Sequence, residues 1–303
     1  MRLVTVVIVS TNQARFLSDA IQSVGEQRYS AHEIIVIDNG SSDTAPAIAE
    51  RYPDIRFVRF RARQRLAVAW NTGVRLAEGD CLVLLNADER LLPSHFDTAL
   101  RLFDAHPSVA MVCGRFSGWH PSGEGQEDRC LAGPDRDWYS ALLRGNFIGP
   151  LAVAMLRRDV LTAIGGLCET SAGAPELALY LRIARNHTIV CHDTVVADCR
   201  ARGHREARFD LLIGHLEALA AERRYARRRP DARAAYRNGR SLATRAYREA
   251  ACREVLADVE AGHWRAALDR LTSLLTHAPT VALHALWTIM LGLIASNLRT
   301  EHQ

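Results

Sequence analysis

Residues 80–93 read Asp80-Cys81-Leu82-Val83-Leu84-Leu85-Asn86-Ala87-Asp88-Glu89-Arg90-Leu91-Leu92-Pro93, an apolar run that stops on a cluster of oxygen-bearing side chains. Buried parallel strands have this character, and open α/β sheets gather ligands at the carboxyl ends of their strands. Hard divalent cations take oxygen ligands, commonly one or two carboxylates together with substrate phosphates. Asp88, with Asn86 and Glu89, is therefore a candidate to hold Mg²⁺ or Mn²⁺ against a nucleoside diphosphate. A polar turn closing any strand gives a similar string, so the segments upstream have to decide between the two.

Working outward, Thr5-Val6-Val7-Ile8-Val9 is a β-branched strand ending at Ser10-Thr11-Asn12, and Phe16, Leu17, Ala20, Ile21 and Val24 follow at helical spacing. Glu33 to Asp38 is a second strand, closed by Asn39-Gly40-Ser41-Ser42-Asp43, where glycine permits a tight turn and small polar residues can cap the next helix. Residues 55–60 give a third strand and residues 64–77 a helix carrying Asn71-Thr72-Gly73. The order β-α-β-α-β-α-β implies a doubly wound, largely parallel α/β sheet with its ligand crevice above strands one, two and four. A dinucleotide-dependent oxidoreductase is excluded, because the first strand lacks a G-x-G-x-x-G turn.

These segments resemble the inverting GT-A-fold glycosyltransferases of family 2. The resemblance runs through residues 6–12, 33–43, Ala69-Trp70-Asn71-Thr72-Gly73, Glu78-Gly79-Asp80 and Leu84 to Asp88. It continues in order through Gly145-Asn146-Phe147-Ile148, Leu156 to Leu161 and Gly165-Gly166-Leu167. Together they imply a GT-A domain over residues 1–208 followed by a helical region over residues 209–303. By resemblance, Asp38 pairs with the base of a nucleoside diphosphate, most often uridine, and Val9, Ser10, Thr11, Asn71, Asn86 and Ala87 line the same donor pocket. The family's usual metal motif is Asp-x-Asp. Here its first position is Asn86, as in rhamnosyltransferase-like members, which leaves Asp88 as the main ligand for Mn²⁺ or Mg²⁺ because an amide carries no charge. His204 resembles a post-catalytic histidine that reaches the metal or diphosphate in relatives.

Displacing a nucleoside diphosphate from an anomeric carbon needs charge stabilisation on the leaving group and a carboxylate to take the acceptor's proton. Family members carry Glu-Asp ahead of a Leu-aromatic-Leu-Arg helix segment. Leu179-Tyr180-Leu181-Arg182 sets that register here, placing Glu176 at the base position and Pro175 where a second acid is expected. Proline followed by glutamate is also an ordinary helix start. Glu169 is the substitute candidate for the base, and Asp159 reads as a helix opener. Trp138, Tyr139, Asn146 and Phe147 fall where the family's acceptor loop lies, and their aromatic faces suit sugars or a lipid. The substitutions at 86, 175 and 176 motivate an alternative: a sugar-nucleotide or glycan-binding protein on the same fold whose catalytic centre is impaired.

At 303 residues with 48% hydrophobic content, the chain can bury one large core and a smaller one. Its seven cysteines show no C-x-x-C spacing, so neither a zinc site nor a disulfide framework is expected, which points to a reduced, cytoplasmic setting. Residues 1–9 begin directly with a strand and show no secretory leader pattern. Every basic residue is arginine. Residues 223–253 hold eleven of them against Asp231 and Glu249, a run that suits an anionic surface, membrane headgroups included, or a solvated helix face. Nucleic acid is not expected as a partner, since no recognised binding module accompanies the charge.

Beyond residue 209 strands vanish and helical spacing dominates. Gly262 to Pro279 reads as one isolated helix-turn-helix unit, and residues 281–296 as sixteen mostly apolar positions. That is short of the roughly 20 residues needed to span a bilayer, so a buried or interfacial helix is expected, giving peripheral membrane contact through 223–253 and 281–296.

Overall fold

The computed structural model describes residues 2–119, 137–169, 174–200 and 208–300. They fall into two compact units: the first carries a sheet and its flanking helices, the second four consecutive helices.

The first unit opens with β1 (Val4–Ser10), α1 (Ala14–Gly25), β2 (His32–Asp38), α2 (Ala45–Ala49), β3 (Arg56–Arg59), α3 (Leu66–Leu76) and β4 (Cys81–Asn86). β1 is buried along its whole length, as a β-branched run covered on both faces should be. These four strands pair in parallel in the order β3-β2-β1-β4, so the doubly wound half expected from the sequence is present. α3 lies close on β1: a side chain at Gly73 would run into Val7.

The rest of the sheet is mixed. It is built from β5 (Glu89–Leu91), α4 (His95–Ala105), β6 (Val109–Trp119), α5 (Trp138–Arg144), β7 (Ala154–Arg157), α6 (Arg158–Ala163), α7 (Pro175–Ala184) and β8 (Thr188–Arg200). β7 runs antiparallel to β4 and β6, β6 parallel to β8, and β5 antiparallel to β8. Asp159 stands in the first turn of α6 and accepts from the Val160 N–H, as a helix opener should.

One expectation is overturned. Cys113 and Cys191 form a disulfide. They lie 78 residues apart, but β6 and β8 pair in a register that sets Cys113 opposite Cys191, an adjacency that no local spacing reveals. Cysteine spacing therefore no longer points to a reduced compartment.

The second unit holds α8 (Arg208–Ala226), α9 (Pro230–Glu260), α10 (Trp264–His277) and α11 (Pro279–Thr300). Leu212, Leu216, Val255, Leu274 and Val281 are fully buried at its centre. Arg270 is held between Glu254 at 2.5 Å and Asp258 at 2.9 Å. Among the described residues no helix is long and apolar enough to cross a membrane.

Candidate active site

The carboxyl ends of β1, β2 and β4 lie side by side. Ser10 pairs with Asp38, and Val9 with Asn86. The chain crossings are fixed by main-chain bonds from Asn39 N–H to the Ser10 carbonyl at 2.9 Å and from Ala87 N–H to the Val9 carbonyl at 3.0 Å. Val9, Ser10, Asp38 and Ala87 are buried, whereas Thr11, Asn86 and Asp88 are partly exposed. Of the residues expected at a donor pocket, Val9, Ser10, Thr11, Asp38, Asn86 and Ala87 thus share one sheet edge.

Asp38 has its own structural ties. Oδ1 accepts from the Ser41 N–H at 3.0 Å, and Oδ2 faces the Arg59 guanidinium at 3.2 Å. The following loop is laced to the one after β1: Asn12 Oδ1 accepts from Ser42, Ser41 Oγ accepts from Asn12 N–H, and the Asp43 carboxylate accepts from both Ala14 and Ala45. One aspartate therefore satisfies exposed N–H groups at the start of two helices, α1 and α2. Asn12 accepts a left-handed φ of 53° in this arrangement. Asp43, Asn12 and Arg59 were not expected to matter to the site. The helix-capping composition of residues 39–43 hinted at Asp43, but only the β2–β3 register brings Arg59 to Asp38.

Asn71 is engaged within the protein. Its amide exchanges bonds with Leu167, donating to the carbonyl at 3.0 Å and accepting from the N–H at 2.8 Å, and it also donates to Glu169 Oε1 at 2.9 Å. It positions the Gly165-Gly166-Leu167 turn. Gly166 adopts φ +69° there, and a Cβ would strike the Asn71 amide. Glu169 is thereby tied to Asn71.

At the end of β4, Glu89 Oε2 accepts from the Asn86 N–H at 2.8 Å and closes the turn that presents Asp88. Asp88, Glu89 and Arg90 line a cavity of about 120 Å³ with Phe16, Asp19 and Asp198. Among the described residues no three His, Cys, Asp or Glu side chains converge as a self-sufficient metal cage. Oxygen donors around Asp88 nevertheless fit Mg²⁺ or Mn²⁺, which are commonly held by one or two carboxylates plus substrate phosphates. His204 lies outside the described residues.

Glu176 stands in the first turn of α7 and is partly exposed, so it is both a helix-start residue and a carboxylate facing out of the core. α7 is anchored by Tyr180, whose hydroxyl donates to the Pro150 carbonyl at 2.9 Å, and by Arg182, which donates to the Gly166 carbonyl at 2.6 Å. Burial pushes the Tyr180 hydroxyl well above the ordinary tyrosine range, and the negative charges of Glu176 and Glu89 push it further. Glu176 and the turn that carries Asp88 thus both reach the neighbourhood of one phenol. Tyr180 was read from the sequence only as a register mark.

Of the acceptor candidates, Trp138 and Phe147 stack with ring centroids 5.7 Å apart and remain partly exposed. Tyr139 is 4% exposed and belongs to the core. The Asn146 amide closes its own turn, exchanging two 3.0 Å bonds with Gly149.

The family model for glycosyl transferase family 2 matches residues 5–165, a span that contains the carboxyl ends of β1, β2 and β4. The chain belongs to glycosyl transferase family 2. An uncharacterized glycosyltransferase of Nostoc sp. is 32% identical over 113 residues, covering 36% of this chain and 35% of its own, so the family 2 chain spans about a third of that relative's length. Among solved structures, S. aureus TarS 1-349 in complex with UDP-GlcNAc matches with a TM-score of 0.58 at 14% identity, over 72% of this chain and 66% of its own. The mannosyltransferase PcManGT from Pyrobaculum calidifontis, in complex with GDP-Man and Mn²⁺, matches with a TM-score of 0.57 at 20% identity, over 95% of this chain and 87% of its own. These two likenesses establish the α/β, GT-A-type fold.

Proposed function

We propose that this family 2 chain transfers a sugar from a nucleoside diphosphate donor, UDP- or dTDP-linked, to a hydroxyl of a saccharide or lipid-linked acceptor, with inversion at the anomeric carbon. The observation that carries the reading is the convergence at one sheet edge of Asp38, Asn86 and Asp88, to which the first turn of α7 adds the partly exposed carboxylate of Glu176. Nucleotide sugars bound to structural neighbours, UDP-GlcNAc on TarS and GDP-Man on PcManGT, support the donor class.

In this reading Asp38 meets the base, and the polar turn after β4 faces the ribose and diphosphate. Mn²⁺ or Mg²⁺ on Asp88 would stabilise charge on the departing diphosphate. Glu176 takes the proton as the acceptor oxygen bonds to the anomeric carbon and the electron pair of the breaking carbon–oxygen bond leaves with the diphosphate. The stacked pair Trp138 and Phe147 offers an apolar face to the acceptor. An anionic membrane surface suits the Arg-rich stretch 223–253, with residues 281–296 adding apolar contact.

Asn86, Pro175 and the longer Glu176 favour one second reading, a sugar-nucleotide or glycan-binding protein with an impaired centre. A donor screen by mass spectrometry, with several nucleotide sugars and Mn²⁺, separates the two. Hydrolysis of a bare donor or transfer to any acceptor eliminates the binding-only reading; tight donor binding without turnover across the panel eliminates the transferase.

A further inference from the structure

α9 carries Arg240, Ser241, Thr244, Arg245 and Arg248 at i, i+1, i+4, i+5 and i+8, which places them along one face of the helix. With Thr280 of α11 they line a cavity of about 390 Å³. Three guanidinium groups and three hydroxyls surround this space, and no carboxylate is among its lining residues. The pattern contrasts with Arg270 in the same unit, which packing neutralises with two acids. Among the described residues neither Arg245 nor Arg248 makes an ion pair, while Arg240 is fixed at the rim by donating to the His277 carbonyl at 2.9 Å. Thr244 donates its hydroxyl proton to the Arg240 carbonyl at 2.8 Å, so Ser241 and Thr280 are the hydroxyl donors available to a guest. Thr280 is also the second residue of a 22-residue helix, where the main-chain N–H lacks an intrahelical partner and the helix dipole favours an anion.

We propose that this cavity is a phosphate-binding site in the helical unit, taking a phosphate ester or diphosphate between Arg240, Arg245 and Arg248. Arginine suits it because the planar fork meets phosphate oxygens in pairs. Thr280 also begins a helical stripe: Leu283, Trp287 and Met290, at 62%, 57% and 41% exposure, follow it at i+3, i+7 and i+10. A phosphate borne on an apolar chain would find the charge and the apolar face in sequence, while inorganic phosphate or pyrophosphate would use the charge alone. The site uses none of the residues assigned to the donor, the metal or the base.

The test uses the full chain with two probes: pyrophosphate by calorimetry, and vesicles of phosphatidylcholine with and without phosphatidic acid by flotation. Arg245→Gln with Arg248→Gln should weaken binding of either probe about tenfold or more, whereas Arg233→Gln with Arg237→Gln removes the same charge from α9 outside the cavity and should leave pyrophosphate binding near wild type and weaken vesicle binding less. Both pairs are exposed and should fold. Binding of phosphatidic acid vesicles but not pyrophosphate, lost also in Leu283→Ser with Trp287→Ser, assigns a lipid source; pyrophosphate binding assigns a soluble one. Equal losses from the two arginine pairs, or no binding of either probe, would overturn the site.

Discussion

His95, the first residue of α4, is 1% exposed, and burial, with His192 adding a like charge, lowers its pKa from the ordinary 6.5 to about 3. The folded chain therefore holds this imidazole neutral, whereas the unfolded chain protonates it below pH 6.5. Between those values the unfolded state binds the extra proton, so the contribution is intact above about pH 6.5 and is lost as the pH falls toward 3. At pH 5 the loss amounts to about 2 kcal/mol, because each tenfold rise in proton concentration below pH 6.5 favours the unfolded state by about 1.36 kcal/mol. Exposed carboxylates titrate in the same range, so the measurement is a double difference. Urea unfolding of wild type and His95→Leu is followed at pH 7 and pH 5. His95→Leu removes the titrating group, and its stability relative to wild type should rise by about 2 kcal/mol on going to pH 5. A relative stability that stays the same at both pH values would refute the claim that burial holds His95 neutral.

Asp38→Ala should weaken uridine diphosphate binding about ten- to a hundredfold, the loss of a charge-assisted bond of about 1.5–3 kcal/mol, as read by calorimetry on folded protein. Asp88→Asn should abolish Mn²⁺-dependent donor binding and Asn86→Asp preserve or strengthen it; equal behaviour of the two variants would remove the metal from Asp88. Glu176→Gln should slow transfer by about 10²–10⁴-fold with donor affinity near wild type, and Glu176→Asp should retain activity. Wild-type transfer by Glu176→Gln would move the base to Glu169, where the same substitution is the next assay.

The parallel half of the sheet could be read directly, because buried β-branched runs such as Val4–Ser10 alternate with amphipathic helices such as Ala14–Gly25. The antiparallel insertion of β7 between β4 and β6 could not, since strand direction leaves no periodic mark in a short buried segment like Ala154–Arg157. The same limit hid the pairing of Cys113 with Cys191, which depends on register alone. The positions of Asp38 and Asn86 at strand ends, and of Asp88 just beyond β4, were legible because an apolar run stops at each. The structural ties of Asn71 and Asn146 were not legible, because an amide that satisfies a nearby turn looks, in sequence, like one that faces a ligand. Tyr139 misled for a related reason, as an aromatic residue beside an exposed one is often the one that packs inward.

The anchoring of α7 bears on how the proposed base, Glu176, would meet an acceptor. With Tyr180 tied to Pro150 and Arg182 to Gly166, the helix is clamped at two points beyond its first turn, which resists sliding along its axis. The added reach of Glu176 must then be taken up by the rotamer of its own side chain or by the seat of the acceptor. In the proposed transfer the depth of the acceptor's seat is thereby tied to the length of this side chain, and loosening either clamp would blur the difference between Glu176 and an aspartate at that position without touching the carboxylate itself.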